Sequence, residues 1–179
     1  PDPETFSQLP WDKRVARVFC TCFRNREERK NPGGHLTSDC RGNLRIIHNE
    51  FKDKHGLDMR VGTEPEMMWL KRGEDGSPNG GVTKPNCYHI DQFEELRPTF
   101  MKVIEYSQAM GLDIIQGDHE DAPGQLELNT MFDDVLRNAD RLTTYRQICA
   151  QVAREDGLIA CFMSKPFMGV SASGCHHNM

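Results

Sequence analysis

The segment Val61-Gly-Thr-Glu-Pro-Glu-Met-Met-Trp-Leu70 sets two carboxylates, Glu64 and Glu66, inside an otherwise apolar strand. Side chains two apart on a strand share a face, roughly 6.5–7 Å from each other. Two like charges held that way destabilise each other unless something neutralises them. A divalent cation does so most simply, because hard carboxylate oxygens suit it. Pro65 between them has no N–H to donate, which fits an edge or an interrupted ladder. The chain must therefore build a sheet that gathers acid on one face.

The same logic recurs downstream in Gly117-Asp-His-Glu120 and Gly124-Gln-Leu-Glu-Leu-Asn129. Glu120 closes one strand and Glu127 lies early in the next, so both reach one point if the pleats match. Asp118 shares a face with Glu120, while His119 points the other way. An acidic hairpin face in solvent is the bland alternative, and two such clusters flanked by apolar strand residues argue against it. A third cluster, Lys165-Pro-Phe-Met-Gly-Val-Ser-Ala-Ser-Gly-Cys-His176-His177, has small residues that let backbone approach a ligand and a terminal His that can ligate a metal. His35, His48, His55 and His89 have no comparable setting.

Composition removes several classes. The 179 residues carry 22 Lys+Arg against 27 Asp+Glu, a net charge of −5 without a basic stripe, which argues against a nucleic-acid binder. No apolar run approaches the length of a membrane span, and Pro1 to Pro10 shows no signal-peptide pattern. The seven cysteines are an odd number without a CxxC pair. Cys20-Thr21-Cys22 is a weak metal signal, so reduced core thiols and a cytoplasmic setting are expected. A start at Pro1 and a stop just after the polar cluster fit a piece of a larger protein.

The periodicity predicts strands over Val15–Cys22, Leu57–Lys71, Leu112–Glu120, Gln125–Met131 and Leu158–Ser164, then a short strand at the end. It predicts a charged loop over Arg24–Gly34, a flap over Arg72–Lys84, and the turn Asp121-Ala-Pro-Gly124. Helices are expected over Cys40–His55, with Asp39 as cap, a stripe of Leu44, Ile47 and Phe51, and Gly56 as stop. A second begins at a capping Asp91 and ends at Gly111, with Phe93, Leu96, Phe100, Val103 and Ile104 inward and Pro98 at a break. The third spans Phe132–Asp156, with Val135, Ala139, Leu142, Cys149, Val152 and Ala153 inward. The pattern is α+β with an antiparallel-rich curved sheet and flanking helices.

Taken together these motifs resemble the glutamine synthetase family, over nearly the whole chain. Asp2-Pro-Glu-Thr-Phe6 with Leu9-Pro-Trp11 resembles the junction before the catalytic domain. Gly62-Thr-Glu-Pro-Glu66 resembles the first metal-binding strand, and His119-Glu-Asp-Ala-Pro-Gly-Gln-Leu-Glu127 the paired-glutamate turn. Phe162-Met-Ser-Lys-Pro-Phe167 through Ser173-Gly-Cys-His176 resembles the ATP-region signature. The resemblance implies a partial catalytic domain, with residues 1–11 as the end of an N-terminal domain and the junction, and 12–179 as the first part of the catalytic domain.

It also implies two Mg²⁺ or Mn²⁺ ions, with ATP as co-substrate. Glu66, Glu120 and Glu127 would hold the ion nearer the amino acid and the amine; Glu64 and His176 would hold the ion on the ATP phosphates. The implied reaction is that of a carboxylate–amine ligase of nitrogen metabolism, joining glutamate to ammonia or a small amine through γ-glutamyl phosphate. Two departures stand out. Ser171-Ala172 replaces an Asn-Gly that contacts glutamate in the family, and Asn178 replaces a second phosphate-side His, the extra His177 facing away. These resemble branches that use methylamine or other amines. The family's stacked-ring homo-oligomer, a dodecamer with sites between subunits, implies that this piece alone is inactive. The competing reading is a non-catalytic structural or regulatory relative.

Overall fold

The computed structural model describes residues 1–31 and 34–179. The Pro32-Gly33 portion of the expected loop lies outside the described residues; the part before it contains a 3-10 turn at Glu28–Lys30.

Strand β1 (Ser7–Leu9) and strand β2 (Asp12–Arg17) form a small antiparallel hairpin. The expected strand at Val15–Cys22 is thus displaced towards the N-terminus. Its partner β1 reaches only to Arg17, and beyond it the backbone is held by Leu36 N–H on the Cys22 carbonyl and by Cys22 N–H on Asp39 Oδ2. That second bond explains why Asp39 occupies the N-cap position of helix α1 (Cys40–His55) without capping it through its side chain. Gly56 closes α1 at φ 66° as expected, yet Ile47 stands 62% exposed, so the predicted stripe is only partly inward.

The spine of the fold is strand β3 (Arg60–Arg72), longer than an ordinary strand because five others pair along it. They are β4 (Pro78–Gly81), β6 (Gln125–Thr130), β7 (Asp133–Asp134), β8 (Leu158–Cys161) and β9 (Cys175–Asn178), and every pairing is antiparallel. Strand β5 (Ile114–His119) adds to β6, so among the described residues the main sheet has seven strands. The flap is the β3–β4 hairpin, as the glycine-rich turn signals predict.

Two long helices cover one sheet face. In helix α2 (Ile90–Ala109) His89 rather than Asp91 occupies the N-cap position, without a side-chain cap hydrogen bond, and the helix runs through Pro98 without ending there. Its Leu96, Phe100 and Val103 are buried. Helix α3 (Val135–Glu155) begins three residues later than expected, because Asp133 and Asp134 first pair with β3. Its inward face is Val135, Asn138, Tyr145, Ile148, Cys149 and Val152, with Ala139 and Leu142 only half-buried. The apolar pattern missed Asn138, Thr144 and Tyr145 because an apolar count leaves out residues bearing polar atoms, although all three are buried.

Period-two alternation divides β3 between two environments. Met67 and Trp69 face the helices and join Leu96, Phe100, Leu126, Leu128, Ile148 and Val152 in the main core. Met68 and Leu70 face the opposite side and pack with Ala122, Cys161, Phe167 and Val170. Full burial of each such side chain contributes about 1.5–3 kcal/mol, so both faces are stabilised at this end of β3. The other end of the second face is where Glu64 and Glu66 stand.

Asp134 caps α3 with Oδ1 accepting from Leu136 N–H at 2.9 Å and Arg137 N–H at 3.2 Å. Asp134→Ala will cost about 0.5–2 kcal/mol, read as a fall in the denaturation midpoint. An unchanged midpoint would show that the cap contributes nothing here.

Candidate functional site

The antiparallel register brings the acids together. Glu66 on β3 lies directly opposite Glu127 on β6, and Glu127 lies directly opposite Asp118 on β5. Directly opposed residues hold their Cβ atoms about 4.5–5.5 Å apart, so three carboxylates form a row across three strands. Glu64 lies opposite His176 of β9, and His176 Nε2 is 3.6 Å from Glu66 Oε1. Glu120 follows β5, its N–H donating to the Gln125 carbonyl at 2.8 Å.

The electrostatics show how closely these groups face each other. Burial, first, and then the charges of Glu66, Glu127 and Asp118 raise the Glu120 carboxyl above the ordinary glutamate range. Glu127 is also raised, again by burial before the charges of Glu64, Glu66 and Asp118, although Asn129 Nδ2 donates to its Oε1 at 2.7 Å and opposes the shift. Neighbouring side chains hold the other oxygens. Asn178 Nδ2 donates to Glu64 Oε1 at 2.9 Å, Gln125 Nε2 donates to Glu66 Oε2 at 2.7 Å, and the Cys87 thiol lies 3.9 Å from Glu120 Oε2.

Among the described residues, no three His, Cys, Asp or Glu side chains stand ready around a common metal position. The donor set nonetheless fits a hard divalent cation: four carboxylates sharing one face with one imidazole, two of them protonating more readily than usual because of burial and unneutralised neighbours. Side-chain rotation from the present amide contacts is what ligation would require.

The loop before β9 closes over this row. Ser171 Oγ hydrogen-bonds Asp121 Oδ2, the Ala172 carbonyl accepts from Gln125 Nε2 at 3.1 Å, and Ser173 N–H donates to the Ser164 carbonyl at 2.7 Å. Gly174 leaves no room for a side chain: a Cβ there would lie 2.6 Å from His176 Nε2 and 2.9 Å from Glu66 Oε1. Gly174→Ala will therefore push His176 and Glu66 apart while leaving the core untouched. Calorimetric titration with Mn²⁺ should show affinity falling about tenfold or more with the melting temperature little changed, the order expected when a positioning partner of a ligand is lost. Unaltered affinity would remove His176 and Glu66 from a shared site.

His177 points away, as the alternation requires. Its Nδ1 is 3.0 Å from Thr63 Oγ1, which accepts from buried Asn138 Nδ2 at 2.6 Å. His119 also faces the helix side and, unlike His177, is buried, with Nε2 2.6 Å from Thr83 Oγ1.

Beside Glu64 and Asn178 lies a groove of about 430 Å³, lined among others by Arg60, Ile115, Asn129 and Phe132. The half-exposed Phe132 ring has the Arg60 guanidinium 5.5 Å from its centroid. Neither residue carries a sequence signal for a site: Phe132 falls in the segment expected to be helical, and a single aromatic carries no motif. Asp118 was visible through its two-residue spacing from Glu120, whereas Gln125 had no signal beyond its place beside the turn. A second cavity of about 630 Å³ lies near the hairpin and the start of α3, where Arg41 already binds Asp2 at 2.7 Å and Asp140 at 2.8 Å. Its charges are largely paired within the chain, so it is not the candidate site.

The model for the glutamine synthetase catalytic domain matches residues 37–179, a stretch holding every site residue described above. The chain belongs to the glutamine synthetase family. Glutamine synthetase of Methanococcus voltae is 34% identical over 99% of this chain and 39% of its own length. Glutamine synthetase of Staphylococcus aureus is 31% identical over 100% of the chain and 40% of its own. Among solved structures, apo GmaS without ligand superposes with a TM-score of 0.85 at 29% identity, over 99% of this chain and 40% of that one. A GmaS/ADP complex matches equally well. The chain thus spans about two fifths of these glutamine synthetase family members, and the α+β, mostly antiparallel fold is theirs. No described helix is long and apolar enough to cross a membrane.

Proposed function

We propose that the whole protein carrying this chain is an ATP-dependent ligase that joins the γ-carboxylate of glutamate to ammonia or a small amine. The observation that carries this reading is the convergence of Glu64, Glu66, Glu120, Glu127 and His176 on one sheet face, in a chain of the glutamine synthetase family. The ADP complex of the GmaS neighbour supports a nucleotide co-substrate.

A γ-carboxylate oxygen attacks the terminal phosphorus of ATP, ADP leaves, and the acyl phosphate then loses phosphate to an attacking amine, which gives up a proton. Mg²⁺ or Mn²⁺, when bound, supplies positive charge over the transferring phosphoryl oxygens. Glu66, Glu120 and Glu127 would hold the ion on the amino-acid side, and Glu64 and His176 would hold the ion on the phosphate side. Asn178 offers phosphate a neutral donor, and the groove lined by Phe132 and Arg60 has room for the nucleotide base. Ser171 and Ala172 line the glutamate side. Rigid strands rather than loops present the carboxylates, which gives the precision phosphoryl transfer needs.

Residues 1–11 then belong to the junction with a preceding domain and 12–179 to the first part of the catalytic domain. The remaining groups of the site come from the rest of the chain or from neighbouring subunits of a homo-oligomer, so the 179 residues alone turn nothing over.

Phosphate release from ATP, measured with glutamate, Mg²⁺ and a panel of amines including ammonia, tests the reading. Release with at least one amine is expected, and none with any amine would overturn it in favour of a non-catalytic relative, the reading that Ser171-Ala172 and Asn178 favour. Within the ligase reading, Ser171→Asn combined with Ala172→Gly shifts the KM for glutamate; an unchanged KM would remove that loop from the site.

A further inference from the structure

The side chain of Gln125 is 1% exposed and meets three segments of the site at once. Its Oε1 accepts from Ala122 N–H at 2.8 Å, in the turn that carries Glu120. Its Nε2 donates to Glu66 Oε2 at 2.7 Å and to the Ala172 carbonyl at 3.1 Å, with Ser173 Oγ at 3.5 Å. The orientation of the amide is fixed chemically. Rotated by half a turn, it would set its oxygen against a carboxylate and a carbonyl, two acceptors, and its nitrogen against a donor.

One buried amide therefore uses both N–H groups to join a β3 carboxylate to the loop over the site. The main chain repeats the link: Glu66 N–H donates to the Gly174 carbonyl at 3.1 Å. We propose that Gln125 is a positioning residue that makes the 171–174 loop and Glu66 move as one unit, so that the loop's grip on glutamate depends on an amide that never touches it. The role in glutamate binding rests on the ligase reading; the mechanical tie does not.

The experiment has two arms. Gln125→Met keeps the volume and removes every hydrogen bond. Gln125→Leu removes the same hydrogen bonds with a branched side chain of similar size, so agreement between the two variants guards against a packing artefact. In this chain without added cation, backbone hydrogen exchange is followed at Ser173 and Glu66, with Ile148 and Val152 of α3 as fold controls. Both variants should exchange about tenfold faster at Ser173 and Glu66, as the loss of roughly one strong hydrogen bond requires, with α3 unaltered. Unchanged exchange at the loop overturns the tie.

In the whole protein, each variant should raise the KM for glutamate about tenfold while kcat moves less than threefold. A residue that only supports the fold would lower the active fraction and leave KM where it was, so faster exchange with an unmoved KM overturns the positioning role. If the unsubstituted protein shows no turnover, the ligase reading falls and the exchange arm alone decides whether Gln125 ties the loop to β3.

Discussion

Gly124→Ala will destabilise the chain by about 2–5 kcal/mol, summing left-handed backbone strain and forced overpacking. Gly124 has φ 70°, and a Cβ built on it would lie 2.3 Å from the Trp69 carbonyl oxygen and 2.9 Å from Val82 N. Both neighbours are backbone, one in β3 and one just after β4, and both are held by main-chain hydrogen bonds. Trp69 N–H donates to the Gly124 carbonyl at 2.8 Å, Val82 N–H to the Trp69 carbonyl at 3.1 Å, and Gly124 N–H to Thr83 Oγ1 at 2.7 Å. Nothing there can swing aside as a side chain could. Gly157→Ala is the matched control, with φ 69° and nothing within 4 Å of its Cβ, so it carries the backbone strain alone, about 1–2 kcal/mol. Denaturant titrations of the two variants should differ clearly in midpoint. Equal midpoints would mean that the turn between Glu120 and Glu127 yields easily, and the rigid presentation of those two carboxylates would fall with it.

Removing charge from the acidic row will separate stability from activity. On the proposed ligase reading, Glu120→Gln or Glu127→Gln in the whole protein should lower turnover by about 10²–10³-fold or more, the order seen when a preorganised electrostatic group is lost. The same substitutions should raise the melting temperature of the metal-free chain above neutral pH by about 2–4 °C. The pH dependence has a definite sign. Burial and neighbouring charge raise both glutamates above the ordinary value of 4.5, so the folded chain binds those protons more tightly than the unfolded chain does. That contribution is fully present below about pH 4.5 and is lost as pH rises through the raised values. Metal-free wild type will therefore gain from Mn²⁺ more at pH 8 than at pH 5, and the Gln variants will show a smaller difference. A Gln variant that melts lower at pH 8 than wild type, without metal, would contradict mutual repulsion in the row.

The sequence made the acids visible because strand alternation is a rigid rule: spacing of two put Glu64 with Glu66 and Asp118 with Glu120, and it sent His119 and His177 to the other side. It left open which acids oppose each other: Asp118 meeting Glu127 depends on the register that the Asp121–Gly124 turn sets, and Glu66 meeting Glu127 on a β3–β6 pairing between segments far apart in sequence. Helix α1 was legible at both ends because Gly56 and the spacing agree. Pro98 misled, because the carbonyl its ring would obstruct lies in the first turns of α2, and tertiary packing of Leu96 and Phe100 outweighs the lost bond. Gln125 was silent for a different reason. A polar residue beside a turn reads as surface, and only its contacts with Glu66 and Ala172, both distant in sequence, reveal that it is buried.

The division of β3 between helix-facing and site-facing residues has a consequence for how the chain reaches its fold. A slip of β3 by one residue against β6 would turn Glu64 and Glu66 towards Tyr145, Ile148 and Val152, and expel Met67 and Trp69 to the open side. Each misplaced carboxylate would then lack both water and partner, at a cost of several kcal/mol. The acids gathered on the second face thus also police assembly: a misthreaded central strand is driven back out by the same charges that the correctly threaded one keeps on that face.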